Sequence, residues 1–153
     1  MSEHRASVEW KRRSDEDFAR GRYSRAHIWR FDGGAEVRAS ASPHVVRAPW
    51  SDPAGVDPEE AFVASLSSCH MLWFLSLAAE AGYVVDGYDD EAVGSMREVD
   101  GRLVVAEVIL KPRASFDPAH APDREALHSL HHAAHARCFI ANSVKTDVRV
   151  EPR

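Results

Sequence analysis

The chain has 153 residues, 44% apolar and 28% charged, the balance of one soluble globular domain rather than of a disordered or membrane-embedded chain. Its net charge of −5 speaks against nucleic acid as a partner, since the one basic spot, Lys11-Arg12-Arg13, is answered at once by Asp15, Glu16 and Asp17. Two cysteines are too few for a secreted disulfide framework, and no apolar leader opens the chain, so a reducing, cytoplasmic setting is expected.

Val8 and Trp10 give the first hint of a strand in a charged N-terminal stretch. From Arg25 the sequence turns to Arg-Ala-His-Ile-Trp-Arg-Phe, then Asp32-Gly33-Gly34, then a short run with Val37 and Ala39, the pattern of a β-hairpin. Pro43, Pro49, Pro53 and Gly55 make residues 41–56 an irregular connection.

Residues 57–82 dominate the middle of the chain. Asp57 suits the N-cap, Pro58 the first helical position and Glu60 the reciprocal capping bond, while Gly82 suits a left-handed C-terminal cap. The signals predict a helix of about 24 residues, roughly 36 Å long. From Ala61 to Ala79 it carries no Asp, Glu, Lys or Arg, and apolar residues fall on every side. Such a helix is buried in a protein core or in a bilayer. The interrupting Ser65, Ser67, Ser68, Cys69, His70 and Ser76, with acidic flanks and no basic cluster, favour the core and no membrane.

After Gly82, Val84 and Val85 lead into residues 92–99, then Asp100-Gly101, then residues 102–116, a second hairpin. A second helix starts at Pro122 or Asp123 and ends near Arg137. Residues 139–143 allow one more helical turn, and Val144, Thr146, Val148 and Val150 alternate as a last strand. The order predicts a single α+β domain over residues 1–153, antiparallel hairpins layered with two helices. So little sheet covers the long helix poorly, so a dimer sharing its core is expected.

Cys69 and Cys138 stand 69 positions apart, one within the first helix and one just after the second. Three readings compete: unrelated thiols, a metal site with histidines, or a peroxidatic and resolving pair. The metal reading, zinc above all, draws on His128, His131, His132 and His135 at helical spacings. No CxxC accompanies them, and an exposed His-rich face beside the apolar stripe Leu127, Leu130 and Ala134 is the simpler account. His70 projects about 100° from Cys69 on the helix and is a poor base for that thiol. Neither a Gly-x-Ser-x-Gly elbow nor a phosphate loop is present.

Asp57-Pro58-Glu59-Glu60-Ala61-Phe62, Ser67-Ser68-Cys69-His70-Met71 and Ala-Ala-Glu-Ala-Gly-Tyr resemble the OsmC/Ohr family of thiol peroxidases. Ala134-His135-Ala136-Arg137-Cys138 with Phe-Ile-Ala-Asn-Ser resembles that family's second cysteine motif, and Tyr23-Ser24-Arg25 and Phe31-Asp32-Gly33-Gly34 are similar to its N-terminal part. The resemblance spans residues 23–150. It implies an intertwined homodimer with sites at the subunit interface, Cys69 as the peroxidatic and Cys138 as the resolving cysteine. Glu59 matches the family's glutamate and Arg25 its arginine, with Arg22 as the alternative. His70 stands where an aromatic residue is usual, and Phe139 where proline is.

The chemistry agrees. A thiolate attacks peroxide, and Cys69 lies too deep in its helix to draw on the dipole, so it needs a cation such as arginine, itself oriented by a carboxylate. Glu59 and Cys69 on one straight helix are roughly 15 Å apart, which points to Glu59 of a partner chain. Phe62, Leu66 and Phe139 are expected to line an entrance suited to organic hydroperoxides. The resemblance implies a dithiol reductant, a lipoylated protein or dihydrolipoamide, and no metal or organic cofactor. The alternatives are a non-catalytic apolar-ligand binding protein on the same fold and zinc binding through the second helix.

Overall fold

The first hairpin forms where its turn residues place it. In the computed structural model, which describes residues 2–153, strands β1 (Ala6–Glu9), β2 (His27–Phe31) and β3 (Glu36–Ala39) make an antiparallel sheet in that order. Trp29 on the middle strand sits opposite Val8 on one side and Val37 on the other. Its neighbour Arg30 bridges Glu9 and Glu36, a cross-strand ion pair on each side. Gly34, at φ +87°, makes the turn and donates its N–H to the Phe31 carbonyl at 2.9 Å.

This sheet and the irregular stretch after it form the first of two compact units, which ends at Ala61; the second is Phe62–Arg153. The irregular stretch is tied to the end of β3. Ser40 N–H donates to the Val56 carbonyl at 3.0 Å, and Asp52 N–H donates to Ser40 Oγ at 2.9 Å.

Helix α1 (Pro58–Glu80) opens with the predicted reciprocal cap: Glu60 N–H donates to Asp57 Oδ1 at 2.8 Å, and Asp57 N–H donates to Glu60 Oε2 at 3.1 Å. It ends at Gly82, φ +82°, with Tyr83 N–H returning to the Ala78 carbonyl at 2.9 Å. Within this chain α1 buries one stripe fully, Leu66, His70, Phe74 and Ala78, spaced by four residues. Its length and composition would also suit a bilayer, but that stripe is rooted in two packed protein clusters. The remaining faces are half-exposed or exposed, with Leu72 the exposed large apolar side chain among them.

The second unit contains β4 (Val85–Asp90), β5 (Val93–Val99), β6 (Arg102–Leu110), β7 (Pro112–Phe116), α2 (Arg124–Arg137) and β8 (Asp147–Val150). β5 and β6 form the expected hairpin on the Asp100-Gly101 turn, both residues at positive φ. Three details differ from the sequence reading. The acidic segment after Val85 is a strand, β4, despite Asp86, Gly87, Asp89 and Asp90. The run 102–116 is two strands, broken at Lys111-Pro112, so that β7 leaves the β5–β6 sheet to pair with β4. β8 joins β6 in parallel, so the third sheet is mixed. Asp90 explains the break: its carboxylate accepts the Lys111 N–H at 2.6 Å and the Ser67 hydroxyl at 2.5 Å.

Two apolar clusters fill this unit. Phe74, Ala78, Leu130 and Ala134 join α1 to α2, and Leu66, Val108 and Leu110 join α1 to the β6 sheet. α2 starts at an Asp123 cap that accepts the Ala126 N–H at 2.8 Å.

Candidate active site

Cys138 is the last residue of the α2 cap, and its position is set by local bonds. Its N–H donates to the His135 carbonyl at 3.2 Å, its carbonyl accepts the Asn142 N–H at 3.0 Å, and its Sγ accepts the Ala141 N–H at 3.4 Å. Asn142 also reaches back to the Ala136 carbonyl. The turn predicted after the helix is thus a 3-10 turn, Ala141–Ser143, that holds the thiol inward, 1% exposed.

Neighbouring it is Cys69, half-buried on α1 and near enough for its thiol to act on that of Cys138; both are reduced. Burial, and then the neighbouring Cys69 thiol, push the Cys138 thiol up to about 11 from 9.0, against a smaller opposite pull from the Ala141 N–H. Cys138 is therefore a protonated thiol at neutral pH, and the more open Cys69 is the one a small oxidant meets first.

Trp73 lies one turn along α1 from Cys69. The Phe139 ring meets it edge-on at 5.4 Å, and the Arg137 guanidinium stands over it at 5.6 Å. Of the side chains expected to line an entrance, Phe139 is exposed and Phe62 borders a groove, but Leu66 is wholly buried in the core. The groove holds about 750 Å³, with Phe62 and Val105 on its walls and Arg97, Arg102 and Lys145 among its charged groups.

The histidines are not the uniform exposed face the sequence suggests. His128 and His132 are exposed, His135 is half-buried, and His131 turns into the core against His70 and Phe74. The reason is the seam itself: His131 finds a hydrogen-bond partner there, His70, at 3.1 Å. Among the described residues no group of three or more His, Cys, Asp or Glu is placed to hold a metal ion.

Arg25 and Glu59 belong to the first unit. The Arg25 guanidinium lies over the Tyr23 ring, 3.7 Å from its centroid, and Nη1 donates to the carbonyls of Gly21 at 2.9 Å and Tyr23 at 2.5 Å. Among the described residues no carboxylate forms an ion pair with it, so backbone and ring, not an acid, orient Arg25 in this chain. Arg22 is exposed. Glu59 is half-buried in the first turn of α1, where Glu60 makes the capping bond. Of the four site residues read from the sequence, Cys69 and Cys138 are the pair that one unit brings together. Sequence reasoning misses the His70–His131 pair and the Trp73–Arg137 contact, because each joins residues of two helices whose packing no local pattern records.

Family comparison agrees with the fold. The model of the family described as OsmC-like protein matches residues 51–153, more than half of the chain, and the chain belongs to that family. An OsmC-like protein of unknown function from Vibrio cholerae has a solved structure that is 53% identical, with a TM-score of 0.97 and full coverage of both chains. The organic hydroperoxide resistance protein OhrB of Bacillus subtilis shares the fold at 19% identity and TM-score 0.68, over 99% of this chain and 98% of that one. An organic hydroperoxide resistance protein OsmC from Legionella pneumophila does so at 14% and 0.68, over 99% and 96%. No curated protein sequence matches the chain.

Proposed function

We propose that this protein is a two-cysteine peroxidase for organic hydroperoxides. The observation that carries the reading is the neighbouring placement of Cys69 and Cys138, a half-open sulfur and a buried one. The Cys69 thiolate attacks the peroxide, the O–O bond breaks, and the alcohol leaves with a proton. Cys69 is then a sulfenic acid. The Cys138 sulfur attacks it, water leaves, and an intramolecular disulfide closes before further oxidation. An external dithiol returns both sulfurs to thiols; dihydrolipoamide, free or on a lipoylated protein, is the reductant proposed. Neither a metal nor an organic cofactor enters the scheme.

Arg25 supplies the cation for the thiolate, and its ring and carbonyl contacts leave its remaining N–H donors for an oxygen. The protein works in the cytoplasm as a homodimer, the partner chain covering the exposed faces of α1. α1 is helical without interruption from Pro58 to Glu80, so Glu59 and Cys69 are roughly 15 Å apart along it, and Glu59 serves the site of the partner chain.

The test is steady-state consumption of cumene hydroperoxide with dihydrolipoamide as reductant. Turnover that disappears in Cys69→Ser supports the reading. No consumption by the wild-type chain, with hydroperoxide or a fatty acid bound unchanged, would move the assignment to an apolar-ligand binding protein.

A further inference from the structure

The peroxidase scheme leaves unused the most deeply buried polar pair of the second unit. His70 is wholly buried and His131 is 3% exposed. Burying such a pair costs more than burying apolar side chains of like volume. Yet their bond is the one side-chain hydrogen bond joining α1 to the α2 segment among the described residues.

Its geometry is well directed. The two ring planes lie within 5°, with centroids 5.4 Å apart and Nε2 of His70 3.1 Å from Nδ1 of His131. Those are the proportions of two imidazoles joined end to end by an in-plane N–H···N bond. The geometry also selects the tautomer. With His70 Nε2 donating, the partnerless His70 Nδ1 is a bare lone pair and not a stranded N–H. His131 is further fixed by Phe74, whose ring lies 4.4 Å away at 22°.

Apolar packing tolerates sliding, whereas this bond does not. A slip of one residue along a helix moves a side chain by about 1.5 Å and turns it by about 100°, which would part the two nitrogens. The same slip would carry Cys69, the residue before His70, away from Cys138. A single buried polar contact that fixes helix register is the best-attested use of such pairs.

We infer that His70 and His131 are positioning residues, whose hydrogen bond sets the register of α2 on α1 and so keeps the Cys138 sulfur within reach of Cys69. The inference rests on the two-thiol reading for its purpose, but it can be tested without peroxide. Oxidised glutathione takes the two electrons and two protons of the Cys69 and Cys138 thiols, leaving one protein disulfide and two reduced glutathiones, and the equilibrium constant measures how well the thiols are juxtaposed. His70→Leu/His131→Leu replaces the pair by apolar side chains, the change best suited to preserve folding. His70→Gln/His131→Asn sets an amide near each bonding nitrogen.

The expected result is a fall of about tenfold or more in the double-leucine variant, with the Gln/Asn variant within about threefold of wild type. A double-leucine variant that folds by circular dichroism and closes with the wild-type constant overturns the proposal. Should it not fold, His131→Leu and His131→Asn are compared instead, with the same two outcomes. Wild-type thiols that never pair in any glutathione buffer overturn both proposals. Normal pairing without hydroperoxide consumption overturns the peroxidase reading alone.

Discussion

Cys69 on α1 and Cys138 at the end of α2 are neighbours across one helix seam, although 69 positions separate them in the chain. The two are not equivalent. One is half-open and the other buried, with its thiol held up at about 11. On the proposed peroxidase reading, that difference gives the first attack to Cys69 and the second to Cys138.

Removing each sulfur should therefore give different products. Cys69→Ser abolishes hydroperoxide consumption. Cys138→Ser permits one oxidation and then stalls, with a Cys69 sulfenic acid that dimedone traps and excess peroxide converts to sulfinic acid. Mass analysis of the two variants checks this, and equal behaviour would remove the assignment of roles.

Acid should destabilise the protein through the buried imidazoles. His70 and His131 are held at about 4, below the ordinary 6.5, chiefly by burial. His131 and His135 add to the effect on His70, and His128 on His131, while Asp90 acts the other way on His131. Because these values are lowered, the unfolded chain binds protons between pH 6.5 and about 4 that the folded chain refuses. Stability is complete above that window and falls within it, by on the order of 3 kcal/mol for one ring. Urea midpoints from pH 7.5 to 4 measure the slope, which His70→Leu/His131→Leu should flatten.

The β5 strand touches α1 at a place with no room for a side chain. A Cβ on Gly94 would stand 2.5 Å from Val63 Cγ2, and a valine cannot swing that methyl aside freely. Gly94→Ala should cost roughly 1–3 kcal/mol, and Val63→Ala in the same chain should recover part of it. Thermal unfolding of the three variants decides; additive losses would contradict the contact.

What the sequence makes legible is what neighbours in the chain determine. The Asp57–Glu60 cap, the Gly82 stop and the Asp100-Gly101 turn are local devices, and each forms as its residues dictate. β4 is hidden because Asp86, Gly87, Asp89 and Asp90 are poor strand formers whose pairing with β7 overrides propensity. The break at Lys111 does have a local signal in Pro112, which cannot donate to a ladder, but the partner that fixes it, Asp90, comes from another strand. His131 shares its composition with exposed neighbours and is distinguished by Phe74 and by His70, the latter 61 positions away. The thiols are legible through their motifs, and their nearness is a product of the helix seam.

The assignment of Glu59 to a partner site has its own test. In a mixed dimer of one Glu59→Ala chain and one Cys69→Ser chain, one site keeps both its glutamate and its cysteine while the other loses both. Half of the wild-type turnover per dimer is expected. A wholly inactive mixed dimer would place Glu59 and Cys69 in the same chain's site.

The most direct measurement is the mass and peptide map of the reduced protein after one equivalent of cumene hydroperoxide. A loss of two hydrogens, located in a single crosslink between the Cys69 and Cys138 peptides, is the result the two-thiol account predicts. Thiols that remain unchanged, or a stable oxygen adduct on Cys69 with Cys138 still free, would contradict it.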